Sequence, residues 1–190
     1  IAYVRGQELW VTGFDGNALV VASEPDGADT VTWGSADFIA AEEMGRYRGF
    51  WWSPDGAALA VCRADTSSVD VWHISDPADP GASPNAVRYP AAGTANPDVS
   101  LHLVAADGVG APIEVSWDRA AFPYLAKVDW NEFGLTITVQ SRDQHDLQVL
   151  LVDADTGGTT LLWHDHDTSW VELVPGTGIL IAEQRLVMCA

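Results

Sequence analysis

The stretch that decides the fold is WSPDGAALAV at residues 52–61, and a related stretch, WNEFGLTITV, occupies residues 130–139. Trp, Gly, an aliphatic residue and Val fall at the same offsets in both copies. Eight residues beyond each Val a second apolar run begins, at residues 69–74 and 147–152. Strand, tight turn, strand, polar loop and strand is the pattern of a β-propeller blade, so the repeat predicts an all-β chain built from blades.

The spacing of the repeat predicts an insertion. The two copies begin 78 residues apart, which exceeds the roughly 40–50 residues of a bare blade, and we place the extra loop at about residues 76–97. Shortened forms of the pattern open the chain at residues 1–11 and begin again at 178–182. A closed propeller has about four to eight blades, so residues 1–190 are predicted to be a fragment of a propeller domain. The alternatives are a non-native closure or a coincidental likeness among the strands of a β-sandwich.

The charge of the chain narrows its partners. It carries 27 acidic and 9 basic residues, a formal net charge of −18. Such a chain cannot neutralise a run of phosphates, so we expect no nucleic acid, and it is not attracted to an anionic membrane surface. No run of about 18 apolar residues is present, so we expect no membrane span. The negative charge suits cations and protonated amines.

Composition gives weaker indications about assembly and location. The two cysteines, Cys62 and Cys189, are too few for a disulfide framework and are predicted to be ordinary thiols. Few cysteines and a bias typical of GC-rich genomes favour a bacterial, cytoplasmic protein. Incomplete blades leave open sheet edges that invite pairing with a second copy, so a homodimer is one predicted assembly.

A helical insert at residues 35–45 carries two adjacent acids, Glu42 and Glu43. Ser35 is the predicted N-cap and Gly45 the predicted C′ residue, with Ala-rich sequence between them. Adjacent helical residues lie about 100° apart, so the two carboxylates can converge on one small cation. The alternative is two solvated glutamates near a helix end.

Four parts of the chain carry a resemblance to a known family. They are FIAAEEMGRYRGFWWSPDG (38–56), RYPAAGTANPDV (88–99), YLAKVDW followed by QSRDQ (124–130 and 140–144), and LLVDADTG followed by DTSWV (150–157 and 167–171). In this order they resemble the N-terminal β-propeller domain of the dipeptidyl peptidase IV family of serine peptidases. The Glu-Glu helix and the Tyr-Pro-Ala-Ala-Gly segment are the specific parts, because many propellers share Ser-Pro-Asp-Gly and Asp-x-Asp-x-Gly.

The resemblance implies a fold and a role. The fold is an all-β partial β-propeller, about three to four blades' worth of an eight-bladed propeller, with a short helical insert. In the family this domain caps an α/β-hydrolase domain with a Ser, Asp, His triad and gates access to it. Glu42 and Glu43 correspond to the pair that binds the free N-terminal ammonium of a peptide. The enzyme then releases N-terminal dipeptides with proline or alanine in second place, without a cofactor.

The chain also departs from a complete peptidase. The nucleophile elbow Gly-x-Ser-x-Gly is absent from its 190 residues. We therefore expect no catalytic residues here, no activity of this chain alone, and the missing α/β-hydrolase domain of the same polypeptide as a partner beside the peptide N-terminus. The family's substrate-binding arginine is expected to precede Ile1. The alternative function is a non-catalytic propeller that serves as a scaffold for protein–protein interaction.

Two further segments resemble metal sites, but a purely structural role is favoured for each. Residues 153–157 read like the start of a calcium loop, but the later bidentate Glu is missing, and a hairpin turn is favoured. His164 and His166 would share one face of a strand, but no further ligands are spaced nearby, and a solvated loop between strands is favoured. We therefore predict no metal site.

Overall fold

The structure, a computed structural model, describes residues 1–182 and 185–188. Its elements in chain order are β1 (Ala2–Arg5), β2 (Glu8–Thr12), β3 (Ala18–Ala22), β4 (Val31–Trp33), α1 (Phe38–Glu43), β5 (Phe50–Trp52), β6 (Ala58–Asp65), β7 (Val71–Ile74), β8 (Asn85–Arg88), β9 (Asp98–Ala105), β10 (Ile113–Glu114), β11 (Tyr124–Asn131), β12 (Gly134–Gln140), β13 (Asp146–Val152), β14 (Thr159–His166), β15 (Ile179–Ile181) and β16 (Arg185–Val187). The predicted all-β class is confirmed.

The strands form three larger sheets and two hairpins. Sheet 1 has the order β1-β2-β3, sheet 2 the order β10-β9-β6-β4 with β5 also paired to β6, and sheet 3 the order β11-β12-β13-β14. The hairpins are β7-β8 and β15-β16. Every strand pair within the described residues is antiparallel. No helix in that part of the chain is long and apolar enough to cross a membrane.

Sheet 2 is packed on both faces, as the residues of β6 illustrate. Successive side chains of a strand point to opposite faces. Leu59 and Val61 join the apolar cluster shared with sheet 1, whereas Ala60, Cys62 and Ala64 join the cluster shared with sheet 3. The three sheets are therefore stacked in chain order, with sheet 2 in the middle.

The third strand of sheet 2 is not the one that the repeat predicted. In sheet 3 the run at 147–152 is indeed β13, next to β12. Its counterpart at 69–74 instead contains β7, which is exposed along its whole length and pairs only with β8. The neighbour of β6 is β9, which is mostly buried and pairs with all eight residues of β6. One face of β9 carries Val99, Leu101 and Leu103, which join the cluster shared with sheet 3, and Val104 on its other face joins the cluster shared with sheet 1.

The chain between β6 and β9 is therefore an excursion with its own structure. The predicted loop at about 76–97 contains strand β8, and the excursion begins earlier, after Asp65. Residues 66–97 as a whole form an arm around the β7-β8 hairpin. A four-residue apolar run can pair locally in a hairpin as well as join a sheet, so the local pattern alone did not distinguish the two.

The outer edge of sheet 2 is one strand cut in two. β4 pairs with residues 63–65 of β6, and β5 pairs with residues 59–61. At the cut, the Cys62 carbonyl accepts a hydrogen bond from Gly34 N at 2.9 Å, and Cys62 N donates to Gly49 O at 2.8 Å. Residues 35–48 thus leave and re-enter the sheet at one point. We call the point where Gly34 and Gly49 both meet Cys62 the neck. A Cβ on Gly49 would lie 2.4 Å from the Gly34 carbonyl carbon, so position 49 requires glycine.

Candidate functional site

Helix α1 is shorter than predicted and is capped by a different residue. It spans Phe38–Glu43 instead of 35–45, and Asp37 is its N-cap, with its carboxylate accepting from Ala40 N at 3.1 Å. The predicted cap, Ser35, forms an isolated β-bridge with Arg48 at the neck. Sheet pairing thus holds Ser35, and the helix begins only where the chain is free of it. Gly45 has a φ of +62°, as expected of a residue just past a helix end.

Glu42 and Glu43 close the helix and are both exposed. Within residues 1–182 and 185–188, neither makes a hydrogen bond or an ion pair. Two carboxylates at the carboxyl end of a helix also lie at the unfavourable end of its dipole. The pair therefore carries uncompensated negative charge facing solvent, as a site for a cation requires.

A buried arginine fixes the segment that carries this pair. The guanidinium of Arg46 lies 3.0 Å from the Asp37 carboxylate, and both side chains are 6% exposed. Its other nitrogens donate to the carbonyl of Leu125 at 3.0 Å and to the carbonyl of Arg48 at 2.9 Å. The Arg46 guanidinium also lies 6.0 Å from the centre of the Trp51 ring. One side chain thus joins the helix start, the neck and sheet 3.

The two most specific segments of the sequence meet in space. The Phe38 ring lies 5.2 Å from the Tyr89 ring in an edge-on arrangement, and Tyr89 contacts Trp72 of the β7-β8 hairpin in the same way at 5.5 Å. Asn96, at the end of the Tyr-Pro segment, donates to the Tyr124 hydroxyl at 3.2 Å. The Glu-Glu helix and the 66–97 arm therefore form one surface.

A cavity of about 470 Å³ lies beside the end of α1. Its walls include Met44, Arg46, Lys127, Val149 and Val171. The Lys127 ammonium donates to the Thr177 carbonyl, and burial lowers the pKa of Lys127. Sequence patterns do not indicate this cavity, because its walls come from several separate parts of the chain.

The two rejected sites can now be placed. In the turn at 153–157 the Asp153 carboxylate accepts from Asp155 N at 2.9 Å and from Thr156 N at 3.2 Å, and the turn joins β13 to β14. The favoured hairpin turn is confirmed. Its carboxylate is satisfied by its own backbone, which is a common way to stabilise a tight turn.

The histidines lie on a strand, so the favoured loop was wrong. His164 and His166 are both on β14, and both lie within hydrogen-bond distance of Asp146 Oδ1, at 2.9 and 3.1 Å. These contacts lower the pKa of Asp146. The sequence did not reveal Asp146 because it lies on β13, twenty residues away from His166. Within the described residues, no group of three or more His, Cys, Asp or Glu side chains is arranged to hold a metal ion.

The structure describes one of the two cysteines, Cys62. Cys62 is a free thiol, and burial raises its pKa. Its sulfur lies 3.5 Å from a guanidinium nitrogen of Arg46. Cys189 falls outside the described residues, so the prediction for it stays a prediction.

A comparison with known protein families assigns the chain to one of them. The family model for the dipeptidyl peptidase IV (DPP IV) N-terminal region matches residues 1–186, and the chain belongs to this family. The resemblance read from the four segments is thereby confirmed.

Individual relatives agree with this assignment. The chain is similar to dipeptidyl peptidase 8 of Mus musculus, with 26% identity over 187 residues, covering 82% of this chain and 20% of that protein. It is also similar to venom dipeptidyl peptidase 4 of Apis mellifera, with 30% identity over 162 residues, covering 77% and 20%. The relatives include eukaryotic proteins, so similarity alone does not make the chain bacterial.

Solved structures give the same result. The crystal structure of Porphyromonas gingivalis dipeptidyl peptidase 4 superposes with a TM-score of 0.74 at 25% identity, covering 89% of this chain and 24% of that one. A putative dipeptidyl aminopeptidase IV from Bacteroides ovatus gives a TM-score of 0.73 at 26% identity, covering 90% and 23%. The chain therefore spans about a fifth to a quarter of the length of these proteins.

Proposed function

We propose that this chain is part of the substrate-recognition and gating propeller of a dipeptidyl peptidase IV-like serine exopeptidase. Glu42 and Glu43 bind the N-terminal ammonium of the peptide in this proposal. The observation that carries it is an exposed pair of carboxylates without partners among the described residues, on a helix that a buried ion pair holds in place. Membership of the family supports the same assignment.

The chemistry of the pair suits a free peptide terminus. A protonated amine donates three hydrogen bonds, and two carboxylates supply both charge and acceptors. Two close carboxylates repel each other, and a bound cation relieves that repulsion. Because only a free terminus offers an ammonium at that position, the pair would measure a fixed distance to the bond that is cut. Release of dipeptides follows from such a ruler, and the preference for Pro or Ala in second place is what membership of the family implies.

The remainder of the enzyme lies outside this chain in the proposal. Stacked antiparallel sheets and the β15-β16 hairpin correspond to three to four blades of an eight-bladed ring. The Ser, Asp, His triad belongs to the α/β-hydrolase domain of the same polypeptide, so this chain alone is inactive. Relatives several times longer than the chain fit this arrangement. A cytoplasmic, bacterial setting remains part of the proposal.

The test uses the complete protein and the two carboxylates. In Glu42→Ala and Glu43→Ala the helix keeps a strong helix former, whereas the charge is lost. Loss of one partner of a desolvated charge pair costs about 2–5 kcal/mol, so kcat/KM on Ala-Pro p-nitroanilide should fall about 30-fold to a few thousand-fold. Glu132→Ala, an exposed glutamate in the turn between β11 and β12, is the matched control. Unchanged kcat/KM in both site variants would reject the proposed role.

The scaffold alternative has one observation in its favour. The β7-β8 hairpin exposes Val71, Trp72 and Ile74, with 44–56% of each residue accessible. A partner or a second copy could cover these side chains. In that case the complete protein would contain no nucleophile elbow, and the Glu variants would leave partner binding unchanged. Size-exclusion chromatography with light scattering on Trp72→Ser would test the predicted homodimer.

A further inference from the structure

We propose that Arg46 and Asp37 are positioning residues for the Glu pair, and that their buried ion pair sets the orientation in which both carboxylates meet the ammonium. The inference rests on the proposed function and adds how that site is held. It starts from the length of α1, which has only six residues. Isolated helices shorter than about 12–15 residues are marginal in water, so tertiary contacts must fix the direction of this one.

The contacts that do so converge on the two ends of the insert. Asp37 uses one carboxylate oxygen to cap the helix at Ala40 N and the other to bind Arg46. Arg46 follows the helix by three residues, so the ion pair joins the residue before α1 to the chain just after it. The helix is thereby closed into a loop with a fixed axis, and Glu42 and Glu43 lie on that loop.

A second set of contacts fixes the loop to the rest of the molecule. Arg46 Nε donates to the Leu125 carbonyl on β11, and Nη1 donates to the Arg48 carbonyl at the neck. The pairing of β11 with β12 shifts register between Leu125 and Lys127, which marks a β-bulge that re-aims the backbone. Sheet 3 therefore offers a carbonyl at the point where the guanidinium arrives.

The charges around Arg46 indicate that it positions the Glu pair and does not attract it electrostatically. Its charge is matched by Asp37 at 3.0 Å inside the protein, so it does not neutralise Glu42 or Glu43. A buried ion pair is weak evidence for stability, because desolvation offsets much of the attraction. Its geometry is specific, however, because the three nitrogens of the planar guanidinium donate to three different acceptors at once. Lysine has one flexible ammonium and cannot reproduce the fork.

The test measures amine recognition directly, in the complete protein. The free-amine substrate is Ala-Pro p-nitroanilide, and its partner is propionyl-Pro p-nitroanilide, which is the same molecule without the α-amine. The ratio of the two kcat/KM values reports how strongly the enzyme recognises the amine. Arg46→Lys and Asp37→Asn should each lower this ratio at least tenfold, mainly by raising KM for the free-amine substrate. The value of kcat/KM for the propionyl substrate should stay within threefold of the wild type.

Controls separate positioning from a general loss of structure. Asp37→Asn keeps a good N-cap and loses only the charge, so it decides the matter if Arg46→Lys does not fold. Arg63→Lys alters a second, more exposed ion pair, which Arg63 of β6 forms with Glu24 at 2.9 Å, and should leave the ratio unchanged. Equal losses on both substrates, or an unchanged ratio in both site variants, would overturn the inference. If Glu42→Ala and Glu43→Ala also leave the ratio unchanged, the proposed function itself fails.

Discussion

Sheets 2 and 3 start from related sequences and differ in what interrupts them. Sheet 3 runs from β11 to β14 as four consecutive strands joined by short turns. Sheet 2 is broken twice, by residues 35–48 at its edge and by the arm at 66–97 between its central strands. The two excursions meet where Phe38 contacts Tyr89. The regular strands form the stacked sheets, and the candidate site residues Glu42 and Glu43 lie on an excursion from them.

The largest expected effect tests whether stability resides in the strands. Leu101 on β9 is fully buried between sheets 2 and 3, so Leu101→Ala should cost about 2–5 kcal/mol through lost burial and a cavity. Trp72→Ala on the hairpin removes a half-exposed ring and should cost clearly less. Thermal unfolding of the complete protein compares the two. Equal losses would mean that the arm is as much part of the core as β9.

A smaller effect is expected at the neck of the first excursion. In Gly49→Ala the new methyl group would collide with the backbone at Gly34, and overpacking of this kind costs about 1–3 kcal/mol. Gly81→Ala in the arm is the matched control, because its nearest contact would be an ordinary 3.6 Å. The melting temperature and the amine-recognition ratio are measured together. A neck variant that keeps both unchanged would show that the two halves of the edge strand can separate freely.

The smallest expected effect is a pH dependence in sheet 2. Hydrogen bonding to Arg63 lowers the pKa of Glu24 from its ordinary value of 4.5. A carboxyl whose folded pKa is depressed stabilises the protein above its unfolded pKa, and this stabilisation is lost as the pH falls through the folded pKa. Glu24→Gln should therefore cost about 1 kcal/mol near pH 7.

Melting temperatures of the wild type and of Glu24→Gln, measured as a function of pH, test the direction of this effect. The difference between wild type and Glu24→Gln should shrink as the pH falls below 4.5. A difference that stays constant down to the acid limit would attribute the loss to packing and not to charge. Glu132→Gln, in an exposed turn, is the matched control.

Sequence patterns were reliable where a segment's structure depends on its own residues. The all-β class, β13 and the turn at 153–157 follow from alternation and from turn chemistry close by in the chain. They failed where a distant partner decides. The repeat predicts that β7 joins the sheet, and no nearby residue indicates that β9 is the neighbour of β6. Ser35 is a suitable N-cap by residue type, and the local sequence does not show its bridge to Arg48, thirteen residues further along.

The candidate site shows the same division. Glu42 and Glu43 were found from their adjacency and from the family resemblance. Arg46 lies within the quoted segment, yet its role depends on the Leu125 carbonyl, 79 residues away. Asp146 was missed as the partner of the two histidines for the same reason. A single sequence indicates the exposed residues of a site more readily than the buried residues that position them.

The divided edge strand has a consequence for protein engineering. Gly34 and Gly49 are hydrogen-bonded to the same residue of β6, one through each of its backbone groups. The two halves of the strand keep a continuous register along β6 on either side of Cys62. The neck is thus the point at which a segment that replaced residues 35–48 would join sheet 2, since the pairing of β4 and β5 with β6 lies outside it.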